Sequence, residues 1–213
     1  MNKIIPFVAM ALFSQLAMAD DSLDIDGLPL VLTLQDNRTV SVSNCDEFIK
    51  VRKAGGVVKE LPDLPNDFYD GMRMELIDCY VKAVVSQRSL MRSNAPKPSL
   101  SEMLHHIPAT EKLLISDDEK ESVEKKFKGK SIWDAEPDLT SVDDTVISKK
   151  NDDGYKLINY TSYTSKDGNE VDLVTMVSFV LHGTYAYSRS YFINSKEKNI
   201  WDVEELSVNS PLH

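Results

Sequence analysis

Catalytic and metal-binding motifs are the most conspicuous absence from this 213-residue sequence. It contains no G-x-S-x-G, P-loop, H-E-x-x-H or G-x-G-x-x-G pattern. Histidine is scarce, and the only adjacent pair is His105-His106. Neighbouring residues on a helix do not face each other, so this pair is poorly placed to share one metal ion. We therefore assign no catalytic residue, metal site or cofactor, and the sequence favours a protein that is not an enzyme.

Cysteine is nearly absent, with only Cys45 and Cys79 in the chain. A redox role is disfavoured because there is no C-x-x-C pair, and zinc because no histidine lies nearby. Asn44 predicts the start of a short helix that Gly55-Gly56 ends, and a second helix should begin near Asn66. Three-four spacing places each cysteine on the apolar face of its helix, and in the second helix this single face begins at Phe68. We therefore predict a Cys45–Cys79 disulfide, which implies an oxidising compartment.

Basic residues are too few to balance the acidic ones. The chain has 24 Lys and Arg against 34 Asp and Glu, a formal net charge of −10. Such a chain repels nucleic acid and anionic lipid, so we expect neither as a partner. A basic protein partner would be attracted to it. The alternative interpretation is that the acidity only keeps the protein in solution.

Long apolar runs are also missing. The run from Ile4 to Phe13 is shorter than the about 20 residues that span a bilayer, and Ala17-Met18-Ala19 resembles a cleavage site. We predict a signal peptide over residues 1–19, with no membrane anchor after cleavage. Residues 20–213 are expected to form a single domain, with 91–99 as its candidate internal boundary. The expected location is the periplasm, with full secretion as the alternative.

What is present is a pattern of helices followed by strands. "LPLVLTLQDNRTVSVSN" predicts an N-terminal β-hairpin ahead of the disulfide-linked helices. Ser99 with Glu102 and Ser116 with Glu119 predict two further helix starts. Asp152-Asp153-Gly154 is interpreted as a turn of solvated charges. The later strands are predicted at Thr145–Ser148, Tyr155–Thr164, Val171–Leu181, Tyr185–Ile193 and Ile200–Leu206. The class is α+β, with a four- to five-stranded antiparallel meander.

Tyrosine is concentrated in that meander, where six of the eight tyrosines fall. In "TYAYSRSYF", strand alternation places Tyr185, Tyr187, Arg189 and Tyr191 on one face. Tyrosine and arginine are enriched at protein-binding hot spots, so we predict that these four residues contact a partner. The alternative is a structural role, because tyrosine is also a good strand former.

Together these features predict an exported, non-enzymatic protein-binding module of the periplasm. The more specific hypothesis is an inhibitor or immunity-type protein that neutralises an effector or enzyme acting in the envelope. Its acidic surface would steer a basic partner onto the tyrosine-bearing strand. The alternative is a small periplasmic hydrolase or ligand-binding protein with a pocket near His105 and His106.

Overall fold

One long helix lies between two antiparallel sheets in the computed structural model. The structure describes residues 22–25, 27–62, 64, 66–114 and 116–212, and the predicted signal peptide lies outside them. Within these ranges, no helix combines the length and the apolar character needed to cross a membrane. The fold is α+β, as predicted from the order of the elements.

The N-terminal sheet has four strands built around the predicted hairpin. Leu30 pairs with Val42 and Leu32 with Val40, and the turn between the strands uses Asn37 in the left-handed region at φ 62°. Leu30, Leu32 and Val42 are buried. The alternation of the sequence therefore predicted both the pairing and the buried face. The strands are β1 (Asp24–Ile25), β2 (Leu28–Leu34), β3 (Thr39–Val42) and β4 (Val58–Glu60).

The disulfide joins the two helices that follow, α1 (Cys45–Lys53) and α2 (Asn66–Gln87). At the start of α1, Asn44 Oδ1 accepts the Glu47 N–H at 3.0 Å, as expected of an N-cap. Cys45 and Cys79 are bonded, with their Cα atoms 5.0 Å apart. The predicted cross-link is confirmed, and it anchors α1 to the middle of α2.

Helix α2 is buried on two sides. Leu76 and Cys79 pack in the apolar cluster of the N-terminal sheet, whereas Ile77 and Tyr80 pack in a cluster of the C-terminal sheet. The sequence pattern had indicated one apolar face that began at Phe68. That part of the prediction is wrong, because Phe68 is exposed and the helix serves two cores.

The C-terminal sheet has seven strands. Its order is β11-β10-β9-β8-β7-β6, and β5 pairs with β8 beside β7. The five predicted strands are all present, and the short β5 and β6 are additions. The strands are β5 (Met91–Arg92), β6 (Thr140–Val142), β7 (Thr145–Ser148), β8 (Asp153–Thr164), β9 (Glu170–Val180), β10 (Ala186–Ser195) and β11 (Asp202–Leu206).

Apolar clusters cover both faces of this sheet. Leu173 and Phe192 face α2, and Val174 and Tyr191 face the opposite way, toward Leu104. The second cover is made of short elements, namely α3 (Leu100–Leu104), a 3-10 turn (Ala109–Glu111), α4 (Asp117–Lys126) and α5 (Ile132–Ala135). Strand β9 is therefore a central strand buried on both faces, as its continuous apolar pattern predicted.

Candidate functional site: a groove beside β10

The predicted tyrosine strand runs from the surface into the core. Tyr185 is 47% exposed, whereas Tyr191 is 1% exposed and belongs to the apolar cluster beneath α3. Tyr187 and Arg189 lie between these extremes and are partly buried. Tyr191 therefore supports the core in this structure. A partner could reach only Tyr185, Tyr187 and the margin of Arg189, and their contact with a partner stays a prediction.

A cavity of about 600 Å³ has one wall formed by Tyr185, Tyr187 and Arg189. Glu205 of β11 extends this wall, and the segment around α4 forms the opposite one. We call this cavity the tyrosine groove and define it by Tyr185, Tyr187, Arg189, Glu205, Leu114 and Glu124. Aromatic rings, an aliphatic side chain and carboxylates thus meet in one concave surface, a composition that suits a polypeptide ligand.

Arg189 holds the two walls together. Its Nη2 donates hydrogen bonds to the main-chain oxygens of Glu111 and Lys112, both at 2.9 Å. Its Nη1 lies 3.7 Å from Glu111 Oε2. Burial lowers the pKa of Arg189, because it disfavours the charged form. The pKa is nevertheless raised overall, since the guanidinium is attracted to Tyr191, Glu205 and Glu111. Arg189 is therefore an internal brace of the groove, because its Nη2 binds the main chain of the opposite wall, while its buried Nε has no hydrogen-bond partner in the described structure.

Tyr187 is fixed from the side of α2. The Arg73 guanidinium lies over its ring, 4.5 Å from the centroid. Arg73 also donates to the Ser188 main-chain oxygen and, at 2.6 Å, to Asp70 Oδ1. Burial raises the pKa of the Tyr187 hydroxyl, and Glu205 adds to the effect. The ring is thus held rigidly, which lowers the entropy lost when it contacts a ligand.

Three carboxylates, of Glu111, Glu124 and Glu205, line the groove together with two cations, Lys120 and Arg189, which gives a formal charge of −1. Burial raises the pKa of the Glu111 carboxyl, and repulsion from Glu205 raises it further, while Arg189 acts in the opposite direction. Glu124 and Glu205 are exposed at the groove surface. A cationic side chain entering the groove would relieve the repulsion among these carboxylates.

A buried ionisable cluster lies behind the groove wall. Glu136, which is 0% exposed, accepts a hydrogen bond from the Tyr155 hydroxyl at 2.9 Å. Lys112 Nζ lies 3.1 Å from Glu136 Oε1, an ion-pair distance without hydrogen-bond alignment, and 3.2 Å from Glu119 Oε1. Because Arg189 binds the main chain of Lys112, this cluster and the groove share one wall segment.

Asp153 completes the cluster. Burial, together with the charge and a hydrogen bond of Glu136, raises the pKa of the Asp153 carboxyl to about 7, and Lys112 lowers it only in part. Asp153 is 5% exposed and starts β8. The interpretation of Asp152-Asp153 as solvated turn charges is therefore wrong for Asp153. No local motif links Asp153 with Glu136 and Lys112, which explains why the sequence did not indicate the cluster.

His105 and His106 serve as stacking residues. The His105 ring lies 4.2 Å from the Trp133 ring, and the His106 ring lies 4.8 Å from the Trp201 ring. His106 Nδ1 is also 2.6 Å from the Asn199 main-chain oxygen. Among the residues that the structure describes, no group of three or more His, Cys, Asp or Glu is placed to hold a metal ion. These contacts are those of structural side chains.

No family model matches the chain, and no significantly similar curated protein or solved structure was found. The functional proposal below therefore rests on the geometry and charges of the tyrosine groove.

Proposed function

We propose that this protein is an exported, non-enzymatic binding module that holds a basic segment of a protein partner in the tyrosine groove. The carrying observation is the meeting of the exposed Tyr185 and the rigid Tyr187 with the carboxylates of Glu124 and Glu205 in one concavity. A lysine or arginine entering there meets both an aromatic face and opposite charge.

Long-range electrostatics support the same partner. The net charge of −10 attracts a basic protein and increases its rate of encounter. The Cys45–Cys79 bond is consistent with an oxidising compartment, and the periplasm is the location we propose. In the more specific form of the proposal, the protein is an inhibitor or immunity-type module that covers a basic functional surface of an envelope-acting effector or enzyme.

Site-specific photo-crosslinking tests the groove directly. A benzophenone amino acid replaces Tyr185, and a matched variant carries it at Leu28, on the N-terminal sheet. Leu28 is 69% exposed against 47% for Tyr185, so random collisions favour the control position. We expect position 185 to yield one dominant adduct in living cells, and the Glu205→Gln change to reduce it. Equal adduct patterns from the two positions would contradict the proposal.

The inhibitory form of the proposal needs a second measurement. The captured partner is purified, and its activity is measured with increasing amounts of this protein. Inhibition should saturate at a stoichiometric ratio and weaken in the Tyr185→Ala variant. If a fully bound partner keeps its activity, the inhibitor hypothesis fails while the binding function remains.

A further inference from the structure

Strand β10 is longer than its neighbour β11. The two strands pair from Ser190 with Leu206 to Ser195 with Asp202. On its other side β10 pairs with β9 from Ala186 onward. Within the described residues, the stretch 186–189 therefore has a strand partner on the β9 side only. We call its outer edge, next to the tyrosine groove, open because no described strand pairs with it.

The hydrogen-bond alternation identifies the groups at this edge. The Tyr185 main-chain oxygen accepts from Val180 N–H at 3.0 Å, so Tyr185 bonds inward to the β9 side. In an antiparallel ladder, successive residues bond to opposite sides. Ala186 and Ser188 thus direct their main-chain groups outward. The contact of the Ser188 oxygen with Arg73 of α2 agrees with this orientation.

The edge is open because the chain leaves the sheet after β11. A turn follows, in which Ser210 N–H donates to the Ser207 main-chain oxygen at 3.1 Å. Asn209 then bonds through its side chain to both main-chain groups of Val58, each at 2.8 Å. The last described residues thus reach the edge of the N-terminal sheet and not β10. Within the described chain no strand extends β11 along the outer side of β10, where Arg73 binds the Ser188 oxygen.

The open edge and the groove share side chains. Tyr187 and Arg189 alternate with Ala186 and Ser188 along β10 and face the groove, as does Glu205 on β11. A strand added in line with β11 would place every second side chain on this same face. The side chain opposite Tyr187 would lie on this surface, where Arg73 already stacks on the ring. The preference for lysine or arginine would therefore come from the carboxylates of Glu205 and Glu124.

We propose that the partner supplies an extended basic segment that adds as a strand to the Ala186–Arg189 edge and places its cationic side chains in the tyrosine groove. This inference rests on the proposed function and specifies how the partner is recognised. Main-chain hydrogen bonds would provide affinity, and the groove would provide specificity, as in other cases of strand addition. Arg73 covers the Ser188 oxygen in the free protein, which protects the edge from unwanted pairing. On binding it would retain Asp70 and release that oxygen.

Proline scanning of the outward residues tests the mode of binding. A phage-displayed library of random 12-residue peptides is selected on the immobilised protein, and the enriched peptides are synthesised. Affinity is then measured for Ser188→Pro and, as its matched control, Ser188→Ala. The Ser188 N–H points away from β9, so proline removes an edge donor without breaking the inner ladder. Ala186→Pro is a second variant, used if Ser188→Pro lowers the melting temperature.

The expected result is enrichment of Lys and Arg at alternating positions. Proline should weaken binding by about tenfold or more, while alanine should stay within about twofold of the wild type. Bound peptide should also slow hydrogen exchange at the Ala186 and Ser188 amides.

The outcomes separate the two proposals. If basic peptides depend on Glu205 and Tyr185 but bind both Ser188 variants equally, strand addition is wrong and the groove function stands. If selected peptides are not basic, or ignore Tyr185→Ala, the proposed function fails as well. A concentration-dependent dimer that Ser188→Pro abolishes would assign the edge to a second copy of the chain and overturn the inference.

Discussion

The two sheets are stabilised in different ways. The N-terminal sheet and α1 enclose an apolar cluster that includes the disulfide. Within the described residues, every buried polar or charged side chain lies at Lys112 or beyond it. Buried charges require specific partners, whereas apolar contacts are non-directional. The N-terminal sheet and α1 are therefore held chiefly by apolar packing and the disulfide, and the C-terminal sheet and its covering segments contain the buried charges beside the groove.

A buried ion pair contributes little net stability, but it can fix the relative position of the two segments that it joins. Lys112 connects Glu136 of the C-terminal core to the wall segment that Arg189 also holds. Apolar packing alone would leave the position of this segment less well determined. The difference between the regions thus predicts where substitutions alter only stability and where they alter the groove too.

The largest expected effect comes from removing the buried cation. Lys112→Met leaves Glu136 buried without its counter-charge and should destabilise the protein by about 3–5 kcal/mol at pH 8. Urea unfolding measures the change. The matched control is Lys125→Met, which breaks the exposed pair with Glu121 at 2.6 Å and should alter stability by less than about 0.5 kcal/mol. Equal effects of the two substitutions would show that the cluster is not a buried one.

Removing the disulfide should have the next largest effect. The bond closes a loop with a sequence separation of 34, and the Cys45→Ala/Cys79→Ala variant should lose about 3–4 kcal/mol. Reduced wild-type protein should unfold at the same urea concentration as this variant. Because the bond lies between α1 and α2 and away from the groove, the folded fraction of the variant should bind groove peptides with unchanged affinity. A melting temperature indifferent to reductant would contradict the cross-link.

Local patterns predicted most of the fold. The hairpin, the Asn44 cap and the five longer strands depend on alternation and capping within a few residues, which a sequence displays directly. Strands β5 and β6 were missed, since two or three residues are too few to show a period. The two-sided burial of α2 was missed because each side depends on a different distant sheet.

The candidate site was only partly predictable. Alternation placed Tyr187 and Arg189 on one face, but the segment that covers this face lies far away in the sequence. The sequence therefore could not reveal that Arg189 is a brace and that Tyr191 is core. The cluster of Lys112, Glu136 and Asp153 was invisible for the same reason, because its members come from three separate elements.

The pH dependence of stability should come chiefly from the C-terminal part. The folded pKa of Asp153, about 7, exceeds its ordinary value of 3.8, so the folded state binds the proton more tightly than the unfolded state. The contribution of Asp153 to the free energy of unfolding should therefore be greatest below about pH 4 and should decline as the pH rises toward 7. The groups facing it are Glu136, Lys112 and Asp138.

Asp153→Asn isolates this contribution. We expect the variant to gain about 1–3 kcal/mol relative to the wild type between pH 5 and pH 8, because the charge repulsion with Glu136 is removed. Chemical unfolding of both proteins at several pH values measures the difference in their free energies of unfolding. Glu111 and the other titrating groups are present in both proteins, so their contributions cancel in this difference. A pH-independent difference between the two proteins would mean that Asp153 titrates normally.

The smallest expected losses of stability come from removing two helix caps, one in each region. These two substitutions test most closely whether the regions differ in their effect on the groove. Asn44 Oδ1 accepts the Glu47 N–H at 3.0 Å, and Ser131 Oγ accepts the Asp134 N–H at 3.1 Å. Replacing either cap residue by alanine should cost about 1 kcal/mol of stability. The two substitutions should differ in how far their effects extend, because Glu136, the C-cap residue directly after α5, pairs with Lys112. Ser131→Ala should accelerate hydrogen exchange of the groove-wall amides at residues 111–113, whereas Asn44→Ala should leave them unchanged. If both variants leave that segment equally protected, the buried charges do not position the groove, and the two regions differ in composition alone.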